Sequence, residues 1–140
     1  MEINSTNLLG VITGISGMVT GIVGMFMGLR SAWISRYDIT KEYFQDDDSK
    51  QMREARNHIY NNHENDDQLL NDKYYAMVCN HYHFFGLMLK KHYIPKYVFK
   101  GINREVIIKC YEHSKEYIKL RRKTNKDYAE YFEWLYNKLK

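Results

Sequence analysis

The chain has 140 residues, a formal net charge of +4, one proline, two cysteines and 13 tyrosines. All 21 Lys and Arg lie after residue 29, and Glu2 alone of the 17 acids lies before it, so residues 30–140 carry a formal charge of +5, too mild a basic balance to argue for nucleic acid. Two cysteines exclude a disulfide framework, and the 111 residues after position 29 leave room for one compact domain but not two.

Residues 1–7 form a short polar tail. Leu8 to Leu29 follow as 22 residues without a charge. At a helical rise of about 1.5 Å per residue they would reach roughly 33 Å, enough to cross a hydrocarbon core of about 30 Å. This segment is expected to be a transmembrane helix. Gly10, Gly14, Gly17, Gly21, Gly24 and Gly28 recur within it at spacings of 4, 3, 4, 3 and 4. At about 100° per residue all six fall within an arc of roughly 80°, bordered by Thr13 and Thr20. Apolar burial gives helices no reason to associate within lipid, so they depend on close backbone approach, and a side-chain-free face permits it. The pattern predicts a homo-oligomer. Arg30, Arg36 and Lys41 after the segment, against Glu2 and the terminal amine before it, place the C-terminal side in the cytoplasm and the N-terminus outside the inner (plasma) membrane. An acidic start and the absence of a small-residue cut site argue against a cleaved signal peptide.

Residues 30–48 read as a juxtamembrane helix and linker, with Arg30, Trp33, Arg36, Tyr37, Tyr43 and Phe44 at headgroup level. Asp46, Asp47 and Asp48 are expected to break the pattern, with Asp48 and Gln51 as a capping box and the acids solvated. Residues 49–140 read as a cytoplasmic helical domain. A helix from Ser49 to Asn62 would bury Met52, Ala55 and Ile59 and turn Arg53, Arg56 and Asn57 outward. A second, from about Gln68 to Lys91, would bury Leu70, Tyr74, Met77, Val78, Phe85 and Met88. The only proline then turns the chain at Tyr93 to Pro95. A short helix over Lys96 to Lys100, a helix capped by Asn103 and running to about Lys123, and a last one capped by Asn125 complete the chain. The last would bury Tyr128, Phe132, Leu135 and Leu139. No alternating pattern marks a strand, so the fold class is all-α: one N-terminal transmembrane helix followed by a small helical bundle.

The runs Met52-Arg53-Glu54-Ala55-Arg56, Val78-Cys79-Asn80 with Phe84-Phe85-Gly86-Leu87, and Phe132-Glu133-Trp134-Leu135 resemble a family of small helical bacterial and prophage proteins catalogued as a domain of unknown function. The resemblance covers about Thr40 to Lys140. It implies a bacterial or phage-borne setting, frequently with an N-terminal membrane segment, and carries no catalytic residues to transfer.

Two constellations hint at chemistry. Cys79 with His83, and Cys110 with His113, share helix faces at i,i+4 and i,i+3 and offer four soft ligands for zinc, whereas His81 points away. Against this, cysteine more often fills an apolar face, and no metal or other cofactor is expected. Arg53 and His58 form an R-x4-H string that resembles the signature of HEPN ribonucleases, where His moves a proton and Arg steadies charge on phosphate. The match departs at Glu54 and lies early in the domain, and a solvated helix face with His58 at its edge is the simpler reading. Two basic clusters, Lys90-Lys91-His92 with Lys96 and Lys100, and Arg121-Arg122-Lys123 with Lys126, sit at expected helix C-termini, where the dipole favours cations. Phospholipid headgroups are the nearest anions for a tethered domain. The expected function is therefore non-enzymatic: a single-pass membrane protein that self-associates and presents a cytoplasmic domain to an unidentified protein partner, in phage-host interference or membrane regulation. An oligomeric pore and a membrane-tethered ribonuclease are the rival readings.

Overall fold

The computed structural model describes residues 5–61 and 66–140, with side chains described throughout except at 5–12, 15, 66, 67 and 102. These residues form six α-helices, one 3-10 turn and no strand, as the all-α expectation required. In order they are α1 (Ser5–Asp47), α2 (Lys50–Asn61), α3 (Asp66–Leu70), α4 (Lys73–Lys90), the 3-10 turn Lys96–Phe99, α5 (Ile102–Arg121) and α6 (Glu130–Leu139). They divide into two compact units, Met1–Tyr37 and Asp38–Lys140.

The first unit is helical from Ser5, and its described side chains are exposed. Among the described residues one helix is long and apolar enough to cross a membrane, over Ser16–Asp47. The segment 30–48 holds no separate linker, because α1 runs unbroken to Asp47.

The second unit is built around α4, which packs against α2, α5 and α6. Met52, Ala55 and Ile59 are buried on α2, as their spacing predicts. Its cap is Ser49 and not Asp48: Ser49 Oγ accepts a hydrogen bond from the Met52 backbone N–H at 3.2 Å. The expected end at Asn62 lies outside the described residues. The helix expected from Gln68 to Lys91 is two. It breaks at Asn71-Asp72, where Asp72 caps α4 by accepting from the Tyr74 N–H at 2.7 Å, supplying an acceptor that an uninterrupted helix would not need.

The buried face of α4 is Tyr75, Val78, Cys79, Tyr82, Phe85, Gly86 and Leu89. This is rotated from the expected stripe, leaving Leu70, Tyr74, Met77 and Met88 only partly buried, because tyrosines fill the centre of the core. Tyr43, Tyr82 and Tyr117 are among its largest fully buried side chains, so Tyr43 is a core residue and not a headgroup aromatic. After α4 the chain turns through His92 at φ 62°. Ile94, Val98 and Phe99 then pin the connection to the core. Asn103 does not cap α5; its amide donates to the Val98 carbonyl at 2.9 Å and ties the 3-10 turn to the helix. Asn125 likewise closes a local turn, accepting from the Asp127 N–H, and α6 starts later, after Ala129 in the left-handed region. Phe132, Leu135 and Tyr136 form its buried face, with Tyr128 and Leu139 partly buried.

Helix α6 lies so close to α4 that a Cβ at Gly86 would stand 2.3 Å from the Tyr131 carbonyl oxygen. One turn away on α4, His83 Nδ1 accepts from the Tyr131 N–H at 3.4 Å. Gly86 thus leaves room for the Tyr131 carbonyl, and His83 supplies the acceptor for the first turn of α6 that Ala129 cannot.

Candidate functional site

The exposed face of α1 in the first unit holds the glycines. A Cβ built on Gly14, Gly17, Gly21, Gly24 or Gly28 meets nothing within 4 Å, whereas Gly10 lies among residues described by backbone alone. Thr13 is exposed, and Thr20 Oγ1 donates to the Ser16 carbonyl at 2.7 Å while Ser16 Oγ donates to the Thr13 carbonyl at 3.0 Å. Those two hydroxyls are therefore satisfied along their own helix. Val19, Ile22, Val23 and Phe26 are exposed too, as are Arg30, Trp33, Arg36 and Tyr37 beyond them. Such a run of uncovered apolar side chains on a soluble monomer would carry a large hydration cost, and a lipid or protein environment removes it.

The second unit encloses a polar cluster where α1 ends. Asp47 Oδ1 accepts from Arg56 Nη1 at 2.9 Å and from the Tyr82 hydroxyl at 2.9 Å, and the Asp47 carbonyl accepts from Arg56 Nη2 at 2.8 Å. His81 Nε2 lies 3.2 Å from the same carboxylate oxygen, out of line for a hydrogen bond. Burial alone would raise the Asp47 pKa, but His81, Arg56 and Tyr82 outweigh it and hold the carboxyl below its ordinary value. Asp47 is thus not a solvated acid, and Arg56 does not face outward: both side chains are about one-seventh exposed. Beside this cluster Tyr60 and Cys110 are hydrogen-bonded at 3.0 Å between hydroxyl and sulfur. Burial pushes the Cys110 thiol up to about 11 and the Cys79 thiol up to about 12.

Those thiols stay protonated at neutral pH, which suits core packing and not metal binding or nucleophilic attack. His83 is occupied with α6, and burial lowers its pKa, keeping the acceptor nitrogen neutral. His113 is exposed, with its ring 5.2 Å from that of Tyr60. No group of three or more His, Cys, Asp or Glu gathers with metal-ligand geometry among the described residues. Arg53 and His58 are also drawn apart in role. Arg53 pairs with Asp48 at 3.9 Å on an exposed surface, and His58 Nε2 pairs with Asp72, the α4 cap.

A cleft of about 370 Å³ lies beside α4, lined by Asn80, His83, Arg121, Asp127 and Tyr128 among others. The turn before α6 assembles it, and no local motif spans its parts. The basic clusters differ in how they are used. Arg122 is committed to Glu133 at 2.8 Å and to the Tyr128 carbonyl at 2.9 Å, and Arg121 lies over the rings of Tyr117 and Tyr128.

Together these features define an all-α protein in which a closely packed bundle follows one helix long and apolar enough to span a bilayer. The chain belongs to the family of the domain of unknown function DUF4760, whose match covers residues 15–139. That match begins inside the apolar helix, well before the Thr40 start suggested by the shared runs. No curated protein and no solved structure matches the chain.

Proposed function

We propose that this chain is a single-pass membrane protein whose copies associate through the glycine face of α1 and present residues 38–140 to a cytoplasmic protein partner. Residues 8–29 cross the bilayer, with the N-terminus outside. The observation that carries the reading is the glycine face itself. Five successive glycines open onto empty space on a helix whose apolar side chains, Val19, Ile22, Val23 and Phe26 among them, are uncovered, so a second helix can approach without displacing anything. The family match supports treating the apolar helix as part of the domain, since it includes most of that helix. Simple association is favoured over a pore because Ser16 and Thr20 direct their hydroxyls to their own backbone and supply little polar lining.

The insertion half of this reading is tested by alkaline carbonate extraction and by labelling single cysteines introduced at Asn4 and at Lys123. The chain should stay with the membrane pellet, with position 4 labelled from outside and position 123 only after permeabilisation. Release into the supernatant, or the opposite labelling pattern, would remove the anchor or reverse its orientation.

A further inference from the structure

We infer that the connection between α4 and α5, residues 91–101, is a docking surface for anionic phospholipid. From Lys73 to Arg104 the chain has 32 residues without an acid and six Lys or Arg. The structure sorts these cations. Lys73 lies over the Tyr74 ring, Lys90 over Tyr131 and Trp134, and the Arg104 guanidinium donates to the Leu139 and Lys140 carbonyls. Lys91, Lys96 and Lys100 remain, all exposed and without an acidic or aromatic partner among the described residues. Tyr93 and Tyr97 stand among them, 48% and 69% exposed, although tyrosines elsewhere, Tyr43, Tyr82 and Tyr117 above all, supply so much of the core.

The segment is held firmly from beneath. Ile94, Val98 and Phe99 are buried, Tyr93 N–H donates to the Met88 carbonyl at 2.9 Å, and Asn103 clamps the Val98 carbonyl. Its cations and aromatic hydroxyls are therefore presented on a fixed support at one end of the bundle, and little ordering is needed on binding. Unpaired lysines interleaved with amphipathic tyrosines match the headgroup layer, where Tyr sits at the apolar-polar boundary and Lys meets phosphate. An acid-free stretch removes the repulsion that an anionic surface would otherwise meet. The second basic cluster is a poorer candidate, because Arg121 and Arg122 already serve the fold.

The inference deepens the membrane reading and gains from the tether, but the charge argument stands without it. It is tested with the full chain in nanodiscs of phosphatidylcholine alone and with about 30% phosphatidylglycerol, by hydrogen exchange over residues 91–101. The mixed discs should slow exchange in that segment about tenfold or more, and salt at about 0.5 M should restore it. Lys91→Glu, Lys96→Glu and Lys100→Glu combined should abolish the protection, whereas Lys123→Glu with Lys126→Glu should leave it intact. Equal exchange in both discs, or protection that survives the triple change, overturns the inference. If the chain fails to enter either disc, the anchor reading falls on its own. Flotation of the detergent-free chain with vesicles then decides the surface: capture by phosphatidylglycerol and not by phosphatidylcholine supports it, and capture by neither refutes it.

Discussion

Replacing Asp47 by Asn keeps the side chain's shape and removes one charge from a site where Arg56 has few alternatives. In the native cluster the carboxylate accepts from Arg56 Nη1 and from Tyr82, both at 2.9 Å. Both members of the ion pair are about one-seventh exposed, so solvent screening is weak. Breaking such a pair leaves an uncompensated charge in a desolvated place, and Asp47→Asn should cost about 3 kcal/mol. Arg56→Met alone should cost a similar amount. The double variant should cost about 3 kcal/mol and not 6, since it removes both orphaned groups, giving a coupling of about 3 kcal/mol. The assay is urea unfolding of the full chain in mild detergent, followed by Trp134 emission in a Trp33→Phe background. Acidification provides a second readout. The folded Asp47 pKa lies below its ordinary value of 3.8, so its contribution is complete above that value and is lost as pH falls through the folded pKa. Asp47→Asn should remove this acid limb. Single costs under about 1 kcal/mol with additive behaviour, as at exposed pairs, would refute the claim that the end of α1 is latched by a buried ion pair.

Three further outcomes follow from the same packing. Gly86→Ala should lower stability by about 3 kcal/mol in the same urea titration, because the new methyl meets the Tyr131 backbone, which cannot rotate away; a neutral result would mean that α6 sits further out. His83 must be neutral to accept from Tyr131, and its folded pKa is lowered, so its contribution is present above the unfolded value near 6.5 and lost as pH falls below it. The protection of the Tyr131 amide, its exchange taken relative to the intrinsic rate at each pH, should fall on acidification in the wild type and stay flat in His83→Asn, which keeps an acceptor without titrating. Cys79 and Cys110 should resist iodoacetamide at pH 8 in the native state and react after denaturation, since both are fully buried with raised pKa values; rapid native labelling of either would contradict the packing.

What the sequence made legible was what repeats locally. The Met52, Ala55 and Ile59 spacing identified a buried face, and the proline located the turn before the 3-10 segment. Misplaced features depended on distant partners. Asp47 reads as one of three solvated acids until Arg56 and Tyr82, nine and 35 residues away, close on it. The face of α4 was rotated because methionine and leucine count as core by composition, while tyrosine is buried only where its hydroxyl or ring finds company. Asn103 and Asn125 have the chemistry of caps but are used in neighbouring turns, and Asp72, which does cap α4, lay inside an uninterrupted-looking apolar pattern. Among candidate site residues, Cys79, His83, Cys110 and His58 have local fold partners or burial that spacing alone does not disclose. The cleft bounded by Asn80, His83 and Arg121 required the tertiary turn before it existed at all.

Association through α1 is tested most directly by the mass of the purified chain in lipid nanodiscs or mild detergent, wild type beside Gly17→Leu combined with Gly21→Leu. Both positions open onto empty space in the single chain, so the added side chains fit the monomer and can act only against a second helix. The account predicts an oligomer for the wild type and a monomer for the variant. A monomeric wild type, or a variant that keeps the wild-type mass, would contradict it.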